Sequence, residues 1–243
     1  MRYIVRLSYD GTNFYGYEKQ PNKRCVESEL ERAVKEINNN IYSKVTASGR
    51  TDRGVHALDQ VVSFTLDISI TDYKLKRALN TFLPDDIHVF EVNRIDDDFH
   101  PRYMVKEKEY IYKINVGEYN PLDRNYVYQY NRELDIDKMN LAIKKYIGIH
   151  NFESFVSKNA KKDNYVREIY KVNIDKDEDI ITISFTGNGF MKYQIRNMVG
   201  TLIKIGAGKL DVDIIDKIFE DKKYDKYVYT AKSEGLYLFK VNY

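Results

Sequence analysis

The chain has 243 residues, 43% of them hydrophobic and 31% charged, which is enough to bury a core unaided. A mean hydropathy of −0.57, with no run near the roughly 18 apolar residues of a spanning helix, argues against a membrane-spanning helical protein. The balance of 39 basic against 37 acidic residues gives only +2, so a polyanionic partner would need basic side chains concentrated on one face.

The spacing predicts a first strand over Arg2 to Tyr9, stopped by the turn pair Asp10-Gly11. Val26, Leu30, Ala33, Val34 and Ile37 recur at helical spacing, with Glu27, Glu29, Glu31 and Lys35 on other faces. Ile41 to Thr46 and Gln60 to Leu66 read as strands. Thr71 to Phe82 reads as a helix with a threonine cap and a stop at Pro84, and Ile87 to Val92 as the next strand. The order is β-α-β-β-α-β. It repeats with a strand over Glu109 to Val116, a helix over Asp137 to Ile147, and a hairpin of Val166 to Ile174 with Ile180 to Phe185. A helical stripe of Met191, Ile195, Met198, Val199, Leu202 and Ile203 follows, opened by Gly187-Asn188-Gly189. A short helix near Val212 to Phe219 and a last strand from Leu236 to Val241 complete it. The expectation is an α+β protein of two β-α-β-β-α-β halves, residues 1–103 and 104–243, whose sheets form one mainly antiparallel surface backed by helices.

With Cys25 alone there is no internal disulfide, no CxxC pair and no thiolate zinc cage. Cys25 opens an amphipathic helix, which reads as a small buried thiol rather than a nucleophile. The alternating start MRYIVRLSYDG has no apolar core with a small-residue cleavage site, so the expected location is cytoplasmic. Twenty-two tyrosines and eleven phenylalanines would suit base stacking, but most such rings fill cores and strands.

The segment that carries chemistry is Ala47-Ser48-Gly49-Arg50-Thr51-Asp52-Arg53-Gly54-Val55-His56-Ala57. It sets one carboxylate between two guanidiniums in a loop whose glycines permit close approaches. Arg50 and Arg53 would hold Asp52 ionised and could grip phosphate. Taken alone, the spacing favours a capped turn in which Asp52 satisfies backbone N–H groups, because short motifs recur by chance.

GRTDRGVHA closely resembles the GRTDxGVHA signature of the tRNA pseudouridine synthase A family. Further landmarks stand in the family's order: SYDGTNFYGY, LPDDI at 83–87, DDDFHPRY at 96–103, KEKEYIYKI, GIHNFESF at 148–155, GNGFMKYQIRNMVG at 187–200 and KSEGLYLFKVNY. The resemblance spans nearly the whole chain. It implies two pseudo-symmetric halves around a central cleft, the pseudouridine synthase fold, and a homodimer. It implies Asp52 as the catalytic aspartate, Arg50 as its basic neighbour, and Tyr110 as the ring that stacks on the target uracil. Arg196 then pairs with the catalytic carboxylate, and Leu236 and Leu238 line the base, while Arg53, at the variable position of the signature, is expected at the substrate from its phosphate-gripping guanidinium alone. The activity implied is conversion of uridine to pseudouridine in the anticodon stem-loop of tRNA, at positions 38, 39 or 40. Two stretches depart from the family pattern. Gly16-Tyr17-Glu18-Lys19-Gln20 stands for G-W-Q-R-Q, and Val26-Glu27-Ser28-Glu29-Leu30 for V-Q-x-x-L, which bears on RNA contacts rather than on the reaction.

The chemistry suits these residue types. An N-glycosidic bond breaks, the uracil turns, and ribose C1′ rejoins C5, a nearly isoenergetic change that calls for no ATP, redox cofactor or metal. It calls for a carboxylate that attacks ribose C1′ or adds to the uracil ring, and the sequence leaves both open. The base must leave its stack, and a tyrosine ring offers a replacement face.

Other clusters read more plainly. Asp96-Asp97-Asp98 with His100 lacks a second ligand segment and reads as a solvated loop, not a metal site. His56 reads as a loop-orienting ring, and His88 and His150 show no readable partner. Gly187-Asn188-Gly189 lacks the lysine of a phosphate cradle. Lys158, Lys161 and Lys162 beside Arg167 are either a solvated loop or an RNA contact. The competing functions are a catalytically silent RNA-binding protein on the same fold and a metal-dependent nuclease using Asp52 with residues 96–98.

Overall fold

A computed structural model describes residues 1–157 and 164–243, so Lys158, Lys161 and Lys162 lie outside the described residues. The described chain forms two compact units, Met1–Lys106 with Leu238–Tyr243, and Glu107–Tyr237. The last six residues thus count with the first unit, not with the 104–243 half read from the sequence.

In the first unit, strand β1 (Arg2–Tyr9) alternates Tyr3, Val5, Leu7 and Tyr9 inward, and this period-two pattern buries one face. Helix α1 (Val26–Ile37) turns Val26, Leu30, Ala33, Val34 and Ile37 to the core. Glu27 and Glu29 in its first turn and Lys35 in its last complement the helix dipole. It ends where Asn39 and Asn40 take left-handed backbone angles, which short amide side chains tolerate. The strand expected over Ile41 to Thr46 shrinks to β2 (Thr46–Ala47). Ile41 and Tyr42 point outward, and the Tyr42 hydroxyl donates to Glu31 instead of extending a ladder. Strand β3 (His56–Thr65) starts four residues earlier than its apolar run. Helix α2 (Asp72–Phe82) carries the expected cap, with the Thr71 hydroxyl accepting from the Lys74 N–H. Strand β4 (Ile87–Ile95) closes the order β4-β1-β3, with β2 on β3, and every pairing is antiparallel. Val5 faces Val62 on one side and Val92 on the other.

In the second unit, β5 (Glu107–Asn115) pairs parallel with the two-residue β6 (Tyr128–Gln129) and antiparallel with β9 (Ile180–Gly187). Helix α3 (Ile136–Ile143) stops short of Ile147 because the chain tightens into a 3₁₀ turn at Lys144–Tyr146. Strands β7 (Gly148–Asn151) and β8 (Val166–Asp177) extend the order β5-β9-β8-β7, and β8 and β9 form the expected hairpin. Helix α4 (Gln194–Gly206) begins well after Gly187-Asn188-Gly189, which therefore does not open it. Gly187 ends β9 and Gly189 sits in the turn. Eleven of the 13 residues of α4 are buried, leaving Arg196 and Lys204 half-exposed. Helix α5 (Ile214–Glu220) precedes β10 (Leu236–Asn242), whose residues from Leu238 onward belong to the first unit.

The aromatic supply goes largely into packing. Tyr146, Phe152, Phe155 and Phe219 form one cluster, with the His150 ring stacked 4.6 Å from Phe219. The fold is α+β with mixed, mainly antiparallel strands. No helix among the described residues is long and apolar enough to cross a membrane.

Candidate active-site loop

Asp52 lies half-buried in the loop from β2 to β3, in the first unit. The backbone around it is tied on both sides. Before it, Ser48 N–H donates to Val61 O at 2.8 Å, and Thr51 O accepts from Tyr17 N–H at 3.1 Å. After it, Val55 N–H donates to Asp52 O at 3.1 Å and Gly54 N–H to Phe14 O at 3.3 Å. Segment Gly11–Tyr17 is therefore the loop's second wall, and it is itself fixed. Val26 N–H bonds Gly16 O, and Tyr15 N–H bonds Arg24 O. Arg24 grips Asp86 through both guanidinium ends at 2.6 and 2.8 Å and stacks 4.1 Å from the Phe14 ring. Gly16 makes the close approach possible. Its φ is +102°, and a Cβ there would sit 2.9 Å from Thr51 O.

The two arginines of the motif are engaged locally. Arg50 pairs with Glu18 at 2.9 Å, an exposed contact of modest strength. The Arg53 guanidinium lies 4.4 Å from the Tyr15 ring, which Lys23 also approaches at 4.4 Å. The departures from the family pattern fall beside this wall. Glu18 holds Arg50, Glu27 accepts the Lys19 N–H at 2.7 Å, and Tyr17 is buried with a hydroxyl that meets no partner among the described residues. Burial pushes the Tyr17 phenol well above its ordinary value, and Glu27, Tyr9 and Glu31 add to the rise.

His56 is buried, with its Nδ1 3.0 Å from the Gly11 N–H and 3.2 Å from Asp10 Oδ1, so it joins the loop to the end of β1. Cys25 is buried at the start of α1, and burial pushes its thiol up. His100 accepts the Arg102 N–H and packs 4.2 Å from Tyr103 within its own turn. Among the described residues no group of three or more His, Cys, Asp or Glu gathers to hold a metal.

The remaining predicted site residues stand mostly in the second unit. Tyr110 is buried on β5, opposite Phe185 and edge-on to Phe190 at 5.3 Å. Arg196 on α4 donates from Nε to Ala231 O at 2.8 Å, while its own carbonyl accepts the Ala231 N–H at 2.9 Å. Its guanidinium lies 4.9 Å from the Tyr193 ring. The Tyr112 phenol on β5 is pushed well up by burial, and Arg196 is a charge that pulls it back. Leu236 is buried at the start of β10. Leu238 is buried further along that strand, in the first unit.

Four supports of the loop escaped the sequence reading: Tyr9, Gly16, Thr51 and Gln60. The Tyr9 hydroxyl and Thr51 Oγ1 are 2.8 Å apart, and Gln60 bonds Ser48 and Gly49. The one available signal was Gln60 itself, a polar residue opening the strand read over Gln60 to Leu66, directly before Val61 and Val62.

Residues 7–104 and 142–243 match the protein family described as tRNA pseudouridine synthase. A tRNA pseudouridine synthase A from Geobacillus sp. (strain WCH70) is 43% identical over 238 residues, covering 98% of this chain and 96% of its own. Proteins of the same description from Listeria monocytogenes serovar 1/2a and Streptococcus mutans serotype c are each 40% identical, covering 100% of this chain and 99% of theirs.

Proposed function

Because the chain belongs to the tRNA pseudouridine synthase family, we propose that it isomerises uridine in the anticodon stem-loop of tRNA, at one or more of positions 38, 39 and 40. In this reading Asp52 is the nucleophile. The observation that carries it is the way the GRTDRGVHA loop is tied on both sides of Asp52 by buried backbone bonds. A carboxylate held this way loses little orientation on reaching the reacting atom, which is where positioning lowers a barrier. Its ionised form bonds to ribose C1′ or to the uracil ring while the glycosidic bond breaks with its electron pair going to N1, and is released as C5 bonds C1′. C5 then loses its proton and N1 takes one up, so the product is an isomer of the substrate.

Arg196 supplies the positive charge that favours the ionised carboxylate. Its planar fork is oriented by the Ala231 bond, which a lysine would not reproduce. Tyr110 takes the place of the neighbouring base against the extruded uracil, with Leu236 and Leu238 as apolar lining. Arg50 and Arg53 stand on the outer side of the loop, where phosphate can draw them from Glu18 and Tyr15. No step calls for a cofactor or metal.

The reading includes a cytoplasmic homodimer. A single copy at +2 has little general attraction for tRNA, whereas two copies present a composite basic surface, and a fully active monomer would refute this part. The test of the whole is incubation with an unmodified tRNA transcript and position-resolved pseudouridine mapping. Pseudouridine at one or more of the three positions is expected. Binding without product at any of them would favour a silent RNA-binding protein, and chelator-sensitive strand scission a nuclease.

A further inference from the structure

We propose that Gln60 is a positioning residue for the Asp52 carboxylate, acting through Ser48 and Gly49. The inference rests on the reading of Asp52 as nucleophile and deepens it.

Gln60 is fully buried on β3, facing Leu7 of β1. Its side-chain amide is committed at both ends. Oε1 accepts from Ser48 Oγ at 2.8 Å and from the Val61 N–H at 3.1 Å, while Nε2 donates to Gly49 O at 3.0 Å. The assignment of the two ends follows from chemistry, since an N–H can only donate and a carbonyl only accept. One buried amide therefore reaches two of the four residues before Asp52, Ser48 and Gly49, directly.

A strand needs none of this for packing. An apolar side chain would fill the same space without the desolvation cost of a buried amide. The amide is instead explained by the loop geometry it dictates, and a shift of about 1 Å at a reacting group can cost about 10²-fold in rate.

The discriminating substitution is Gln60→Glu. A neutral carboxyl can still donate to Gly49 O, whereas an ionised one sets a carboxylate oxygen against that carbonyl. Burial keeps such a carboxyl neutral to a higher pH than usual. The Tyr9 phenol, two residues along β1 from the Leu7 that Gln60 faces, stays neutral because burial pushes it up to about 12, and burial also raises the Tyr243 phenol near Ser48, so the profile reports the new carboxyl.

Single-turnover rates on tRNA, tRNA affinity and urea unfolding are measured for the wild type, Gln60→Glu and Gln60→Leu. Gln60→Leu should lose about 10²-fold in rate with tRNA affinity changed by less than about threefold. Gln60→Glu should approach wild-type rate at low pH and fall as pH rises, relative to the wild-type profile. Should Gln60→Leu not fold, the Gln60→Glu profile corrected for folded fraction decides alone. Wild-type rates in both variants, a loss confined to affinity, or rates that only follow the folded fraction would each overturn the proposal. Asp52→Asn, run in parallel, separates the two ideas. If it stays active, the reading of Asp52 fails; if it is dead while Gln60 variants are normal, only this inference fails.

Discussion

Replacing Gly16 by alanine measures how closely the wall and the Asp52 loop are fitted. At φ +102° any residue with a Cβ is strained, at a cost of about 1–3 kcal/mol. The added Cβ would lie 2.9 Å from Thr51 O and 3.3 Å from both Arg53 N and the Asp52 carbonyl carbon. All three are backbone atoms, so no side-chain rotation relieves the contact, and overpacking adds about 1–3 kcal/mol. The sum is about 2–6 kcal/mol, a large part of a typical domain's stability. Gly208→Ala is the control. It has φ +68° but nothing within 4 Å of its Cβ, so it carries only the left-handed cost, about 1–2 kcal/mol. Urea unfolding of both variants gives the difference directly. Where Gly16→Ala remains folded, its single-turnover rate should also fall, because relief of the contact displaces the segment from Thr51 to Arg53. A Gly16→Ala variant no less stable than Gly208→Ala would refute the close fit.

Two further outcomes follow from the buried phenols. Tyr17→Phe removes a hydroxyl buried without a partner among the described residues and should stabilise by about 1 kcal/mol, raising Tm by roughly 2–4 °C. A loss of stability instead would show that the hydroxyl is satisfied. Tyr9 is raised from 10.0 to about 12 by burial, so its folded form must hold its proton where the unfolded chain gives it up. That contribution is fully present below pH 10 and is lost as pH rises to 12, about 3 kcal/mol in all. Denaturation curves whose midpoint stays constant over that range would contradict the burial.

What could be read from the sequence depended on how local its cause was. Strand β1 and helices α1 and α2 were legible because one face of each is apolar, and β1 and α2 carry their own end signals in Asp10-Gly11 and Thr71. Ile41 to Thr46 misled because β-type residues were read as a ladder, while Asn38 ties the Ile41 backbone and Glu31 on α1 takes the Tyr42 hydroxyl. Strands β6 and β7, with two and four residues, are too short for a period to register. The candidate site divided the same way. The GRTDRGVHA segment announces Asp52, but the supports of its loop come from Tyr9, Gly16 and Gln60, whose parts emerge only when β1 and β3 pair. Arg196 stood out as a charge in an apolar helix, whereas its bond to Ala231, 35 residues on, left no trace in any spacing.

The central claim, that Asp52 performs the isomerisation, is tested most directly by Asp52→Asn on an unmodified tRNA transcript, with binding and pseudouridine formation measured on one preparation. The substitution keeps the side-chain shape and removes the charge, so tRNA affinity should stay near wild type while product formation disappears. Substantial turnover by Asp52→Asn would contradict the account.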